Sequence, residues 1–331
     1  MSNEAPLLSA RALTLDFRIG RHLSGDSVLR ALDHVSLDIR AGEIIGLVGE
    51  SGSGKTTLGK TLLGVYQPTG GEILYRGADL AQLSKAERSG FRRDLQMVFQ
   101  DPLSSFNPRF TIGSSLAVAL RLHDIYAPGE IGAEIERLLF RVGLSPDFSR
   151  RFPHELSGGQ LQRVAIARAI SVKPKIIVAD EAVSKLDVSV RAQILNLLKR
   201  INRETGTSVI FITHDLGVAR FLCDRIAVMY FGRIAENGPT EQIFSSPFHP
   251  YTAALLAARN TQHGQSESDA DETEFVPADP ASACNYAARC VQRKNICAIT
   301  RPQLSDLGGE HEVSCFVPLP SPETRLQNFE R

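Results

Sequence analysis

The chain has 331 residues, enough for two domains or for one large domain with an appendage. Its 43% hydrophobic and 22% charged content suits a soluble globular protein with a sizeable core and argues against a disordered or fibrous chain. Lysine plus arginine and aspartate plus glutamate both number 37, so no net field argues for nucleic acid or anionic lipid as a partner.

The N-terminal MSNEAPLLSARALTLDF lacks the basic start and apolar run of a signal peptide. No apolar stretch approaches the ~20 residues that span a bilayer, so a cytosolic chain with reduced thiols is expected. ALTLDFRI (12–19) and VSLDI (35–39) alternate as half-buried strands do. EIIGLV (43–48) is an apolar run leading into a glycine-rich loop and then a helical pattern. LQMVFQ (95–100) reads as another strand, after which residues of about 101–170 turn helical. IIVAD (176–180) and SVIFIT (208–213) suit strands buried on both faces. Between them, VRAQILNLLKRINRE places Ile194, Leu197, Leu198 and Ile201 on one helical face, with Asp187 or Ser189 as N-cap. This alternation predicts a parallel sheet in an α/β domain. RIAVMYFGRIAENG (225–238) reads as a closing hairpin. QHGQSESDADETEF (262–275) carries five carboxylates between Glu267 and Glu274 and reads as a linker. Four of the five cysteines lie beyond it; the fifth, Cys223, is expected to be buried and inert.

Gly49, Glu50, Ser51, Gly52, Ser53, Gly54, Lys55 and Thr56 fit G-x-x-x-x-G-K-[ST], with Thr57 following, between a strand and a helix. Glycines let successive N–H groups curl round phosphate oxygens, and the helix N-terminus adds its positive end. Lys55 can reach the β- and γ-phosphates, and the Thr56 hydroxyl can ligate Mg²⁺. Asp180 ends a buried strand with Glu181 next, and His214 follows the neighbouring one, all at the edge where open α/β sheets bind ligands. Asp180 suits the Mg²⁺ shell, and Glu181 suits a general base acting on water. His214 reads as a γ-phosphate or water contact.

Leu156-Ser157-Gly158-Gly159-Gln160 opens the helix VAIARAI and makes a second anion-receptive N-terminus. With these motifs in this order, residues from about 8 to 258 resemble an ATP-binding-cassette (ABC) ATPase. The resemblance implies ATP and Mg²⁺ as ligands and an α/β P-loop fold with a mostly parallel core sheet, an antiparallel β subdomain and a helical subdomain. It also implies that Ser157, Gly158, Gly159 and Gln160 complete the ATP site of the opposite subunit in a head-to-tail dimer. By the same resemblance Gln100 is the residue that touches Mg²⁺ or water and couples to membrane subunits, His214 the switch histidine, and Asp187 the aspartate at the dimer seam. Phe17 is a candidate for stacking on adenine or, alternatively, a core residue. Two positions depart from the family: Ala182 stands where proline is usual, and Lys185 where a small residue is usual. Neither removes a catalytic group, but Lys185 favours two different cassettes over two copies of one.

VFQDPLSSFNPR (98–109) and PFHPYTAALL (247–256) resemble the ATPases of dipeptide, oligopeptide and nickel importers. Cys284-x5-Cys290-x6-Cys297-x17-Cys315 is similar to that branch's C-terminal extension, which the resemblance associates with a [4Fe–4S] cluster. From the thiols alone, a cluster, Zn²⁺ or no metal at all remain open, with His311 a lesser ligand candidate. The implied organisation is a nucleotide-binding domain over 1–258, an acidic linker over 259–279 and a Cys-rich extension over 280–331. The implied partners are a second ATPase subunit, two membrane permease subunits and an extracytoplasmic solute-binding protein, with the chain peripheral on the cytoplasmic face of the membrane and no nucleic acid. The alternatives are an ABC protein acting on nucleic acid or ribosomes, a regulatory or redox-sensing ATPase, and an importer of nickel or opines.

Overall fold

Alternation of apolar residues in the first 40 positions drives an antiparallel pair, β1 (Leu8–His22) and β2 (Gly25–Ile39), which buries Leu13, Leu15, Leu32, Val35 and Leu37 on one face. The computed structural model describes residues 5–22, 25–261 and 282–320; the acidic stretch 262–275 lies outside them. After β3 (Ile44–Val48) and α1 (Lys55–Leu62), strands β4 (Gly70–Tyr75) and β5 (Ala78–Asp79) join the first pair in a sheet ordered β2-β1-β4-β5. Helix α2 (Lys85–Asp94) starts at Ser84, whose side chain and that of Glu87 bond each other's backbone N–H, and it leads into β6 (Leu95–Val98).

Residues 101–170 carry a helical layer: α3 (Ile112–Leu122), α4 (Ile131–Arg141) and α5 (Gly158–Ile170). Their buried residues recur at helical spacing, Ile112, Leu116 and Leu120 on α3 and Ile131, Ile135 and Leu138 on α4. The chain continues through β7 (Ile176–Asp180), α6 (Val188–Thr205), β8 (Ser208–Thr213), α7 (Leu216–Leu222), β9 (Arg225–Tyr230), β10 (Arg233–Pro239), α8 (Thr240–Ser245) and α9 (Pro250–Thr261). The predicted apolar face of α6 is buried at Ile194, Leu197, Leu198 and Ile201. Of the two expected candidates Asp187 is its N-cap residue, although its side chain makes no capping hydrogen bond.

The second sheet runs β11-β12-β10-β9-β3-β8-β7-β6, where β11 is Ser305–Asp306 and β12 is Glu312–Val313. From β9 to β6 the strands are parallel, and every residue of β3, β7 and β8 is buried. Parallel order brings the carboxyl ends of β6, β7, β8 and β3 to one edge, where the loops after them meet.

The Cys-rich extension is built into the core sheet rather than hung from it. Glu236 and Asn237 of β10 pair with Val313 and Glu312 of β12. Glu236, with no exposed surface, accepts from Phe248 N at 2.7 Å, His249 N at 3.0 Å and His311 Nε2 at 2.7 Å. Arg301 also reaches the buried Asp33, which Arg233 and His34 bond as well. These partners outweigh the burial of the Asp33 carboxyl and hold it at about 2. Because removing one member of a buried pair strands the other, Glu236→Ala is expected to lower stability by about 3–5 kcal/mol in urea unfolding.

Candidate functional site

The loop after β3 is shaped by positions that tolerate no side chain. Gly49 sits at φ +149°, where a Cβ would lie 2.2 Å from the Met229 carbonyl oxygen; at Gly54, with φ +100°, one would lie 2.9 Å from that of Ala31. The loop therefore curls tightly before α1 begins at Lys55. That ammonium is 5% exposed and donates to the carbonyls of Gly49 (2.9 Å) and Glu50 (2.7 Å) and to Ser53 Oγ (3.2 Å). Burial lowers its pKa, opposed by the charges of Glu181, Asp180 and Glu50.

Beside it, Thr56 Oγ1 donates to Asp180 Oδ1 at 2.9 Å. Burial raises the Asp180 carboxyl, the Thr56 hydrogen bond opposes this, and the neighbouring Glu181 charge adds to it. A hydroxyl and a carboxylate in contact at the mouth of a phosphate-binding loop are donors of the oxygen type that Mg²⁺ takes.

Glu181 is held at φ +44°, a left-handed conformation unusual for glutamate. Its N–H donates to the Ile212 carbonyl at 3.0 Å, while its own carbonyl accepts from Ser184 N at 3.1 Å and Ser184 Oγ at 3.0 Å. The carboxylate is engaged at both oxygens. Gln100 Nε2 donates to Oε2 at 2.7 Å, and His214 Nδ1 lies 3.2 Å from Oε1. Gln100, Glu181 and His214 follow β6, β7 and β8, so the parallel order that closes the sheet also assembles this trio. A carboxylate so oriented beside a phosphate loop can take a proton from water.

The turn 157–160 is capped reciprocally: Gln160 N donates to Ser157 Oγ at 3.3 Å and Ser157 N to Gln160 Oε1 at 3.0 Å. A Cβ on Gly158 would lie 3.8 Å from Leu186 Cδ2, and one on Gly159 would press within 2.4 Å of Val190 Cγ1, so this turn packs on the segment around Asp187. Ser157, Gly158, Lys185 and Asp187 are exposed, whereas Ala182 is buried. Phe17 lies within the first strand rather than beyond it. The strand continues to His22, Phe17 pairs with Leu29, and its half-buried ring meets Tyr66 edge-on at 5.4 Å.

Cys284, Cys290, Cys297 and Cys315 line one small cavity of about 20 Å³, with His249, Tyr286 and Pro302. Cys284 N donates to the Cys297 carbonyl at 2.9 Å. Burial raises the thiols of Cys284 and Cys290 and pushes Cys315 up to about 11. Among the described residues no three His, Cys, Asp or Glu side chains converge on a single metal ion. His311 is buried, with its Nε2 2.7 Å from Glu236 Oε1. Cys223 is buried in the core, and burial raises its thiol, consistent with an inert side chain.

Sequence reasoning took 247–256 only as a family marker and missed that Tyr251 accepts a hydrogen bond from the Glu50 N–H at 3.1 Å. A tyrosine in the first turn of a helix carries no local signal of such a distant partner.

Residues 32–184 match the ABC transporter family model, and residues 235–297 match that of the oligopeptide/dipeptide transporter C-terminal region. A Brucella ovis protein carrying a provisional peptide-import ATP-binding name is 42% identical over 316 residues, covering 95% of this chain and 98% of the relative. The oligopeptide transport ATP-binding protein AppF of Bacillus subtilis is 40% identical over 324 residues, covering 96% and 98% respectively. Among solved structures, the dimeric post-hydrolysis state of the ATP-binding cassette MJ0796 bound to ADP and Pi is similar at a TM-score of 0.63 and 31% identity, covering 70% of this chain and 98% of that one.

Proposed function

The chain belongs to the ABC transporter ATPase family, and from that membership we propose that it is the ATP-hydrolysing subunit of a bacterial importer for peptides or a related small solute. The observation that carries the catalytic reading is the Gln100–Glu181–His214 trio standing over the Thr56–Asp180 contact. The peptide reading rests on the relatives' names and on the match of the C-terminal region.

In this reading the loop 49–56 and Lys55 bind the phosphates of ATP, with Lys55 leaving its carbonyl partners to do so. Thr56, Asp180 and Gln100 would hold Mg²⁺, which when bound offsets negative charge on the phosphate oxygens. Glu181 takes the proton of the attacking water, and His214 and Gln100 orient that carboxylate. Ser157 to Gln160 complete the site of the facing cassette, with Asp187 at the seam, so each closed pair encloses two ATP molecules. The exposure of Ser157, Gly158 and Asp187 supports this, as does the dimeric MJ0796 cassette. Closure drives two permease subunits, since ATP binds the closed pair better than the open one. The chain lies on the cytoplasmic face of the membrane; no described helix is long and apolar enough to cross it. Exposed apolar side chains flank Gln100 and continue past it, namely Phe99, Leu103, Phe110, Val118 and Leu122, and suit contact with those subunits. ATP hydrolysis stimulated by peptide-loaded binding protein, in vesicles carrying both permease subunits, tests the reading. Stimulation by a nickel chelate alone would reassign the solute.

The four cysteines would hold a [4Fe–4S] cluster, which would cross-link the segments of the extension. The four thiols lining one small cavity support this. Protein purified without oxygen is expected to contain iron and acid-labile sulfide in near-equal amounts, lost in Cys290→Ser. Zinc in their place, or no metal, overturns the cluster.

A further inference from the structure

Glu50, the second residue of the phosphate loop, is bonded both within the loop and by two residues from outside it. Its N–H donates to the hydroxyl of Tyr251, a residue 1% exposed on α9. Its carbonyl accepts from Lys55 Nζ at 2.7 Å and Ser53 N at 3.2 Å. Both of its carboxylate oxygens lie 3.3 Å from Arg289 Nη1. Once Lys55 turns to a phosphate, Tyr251 and Arg289 become the main restraints on that residue.

Both restraints trace back to the cysteine segment. Arg289 ends a short 3-10 turn lying between Cys284 and Cys290, and its N–H donates to the Tyr286 carbonyl at 3.1 Å. The Tyr286 ring packs at 5.5 Å from that of Tyr251 and edge-on at 5.3 Å from that of Tyr230. Asn285 Nδ2 donates to the Phe231 carbonyl at 3.2 Å, and the next residue, Gly232, donates its N–H to the loop's Ser53 carbonyl at 2.9 Å. A shift of the 284–290 segment therefore reaches the loop by three routes.

We infer that Tyr251 and Arg289 are positioning residues of the phosphate loop, and that through them the cysteine-bearing segment 284–290 sets how tightly the loop takes the phosphates of a nucleotide. This rests on the ATP-binding reading of the loop.

The test uses the full chain and a fluorescent ATP analogue with Mg²⁺, together with steady-state hydrolysis. Tyr251→Phe keeps the buried ring but strands the Glu50 N–H, and is expected to weaken binding about five- to tenfold. Arg289→Gln breaks a pair whose side chains are 59% and 43% exposed, so the expected loss is only about two- to fivefold. Arg289→Gln combined with Glu50→Gln should bind no worse than Arg289→Gln alone, because one shared interaction is lost once. KM for ATP rises in each variant without a matching fall in kcat. Cys290→Ser weakens binding in the native background and by a smaller factor in the Tyr251→Phe, Arg289→Gln background, where only the Asn285 route remains. Equal affinities across all variants, or lowered unfolding temperatures with unchanged affinity, overturn the inference and leave the ATPase reading intact. Additive losses in the Arg289–Glu50 pair overturn it for Arg289. Native protein that binds no ATP removes both readings.

Discussion

Glu181→Gln is expected to lower the rate of ATP hydrolysis by about 10²- to 10⁴-fold while ATP binding persists. The amide keeps the shape of the side chain and can still meet Gln100 and His214, but it accepts no proton from water. The left-handed backbone at Glu181 is set by its bonds to Ile212 and Ser184, which the substitution leaves alone. The loop 49–56 is also untouched. Binding without turnover should then accumulate the closed pair of cassettes, visible as an ATP-dependent dimer in size-exclusion chromatography. Hydrolysis at the native rate would remove Glu181 from the role of base.

Lys55→Ala carries the second large effect, expected at about 10- to 100-fold weaker ATP binding with a still greater loss of turnover. A charge-assisted hydrogen bond to phosphate is lost, and with it the neutralisation of charge that develops as the phosphoryl group moves. The same substitution frees the carbonyls of Gly49 and Glu50 and the Ser53 hydroxyl, so the loop loses internal restraint as well. Calorimetric titration with ATP and Mg²⁺ separates the two consequences. A Lys55→Arg variant restores charge but not the compact fit in a 5%-exposed position, and should recover little. ATP binding of native strength in Lys55→Ala would place the nucleotide elsewhere.

Legibility in the sequence tracks how local each feature is. IIVAD and SVIFIT are continuous apolar runs because both faces of a parallel strand are covered, and the structure buries every residue of β7 and β8. Glu181 and His214 were individually visible because each directly follows such a strand, whereas Gln100 was read only through the family resemblance. Their mutual hydrogen bonds were not visible, since no periodicity encodes which oxygen of Glu181 meets Gln100. Strand β12 was missed for a different reason: two residues, Glu312 and Val313, carry no alternation, and their partners lie some 75 positions earlier. Glu236 looked like an ordinary hairpin polar residue, although it is fully buried and bonded to His311.

The addition of β12 to the edge of β10 bears on how the chain is made. Residues 312–313 emerge from the ribosome some 75 positions after their partners, so during synthesis β10 waits with its outer row of N–H and C=O groups unpaired and Glu236 without His311. An open strand edge is a template for pairing with another chain. A product ending before residue 305 would keep every residue of the nucleotide site yet carry that open edge permanently. Such a truncated chain should aggregate in proportion to its concentration, and the last residues of the sheet would then act as the seal on a nascent protein.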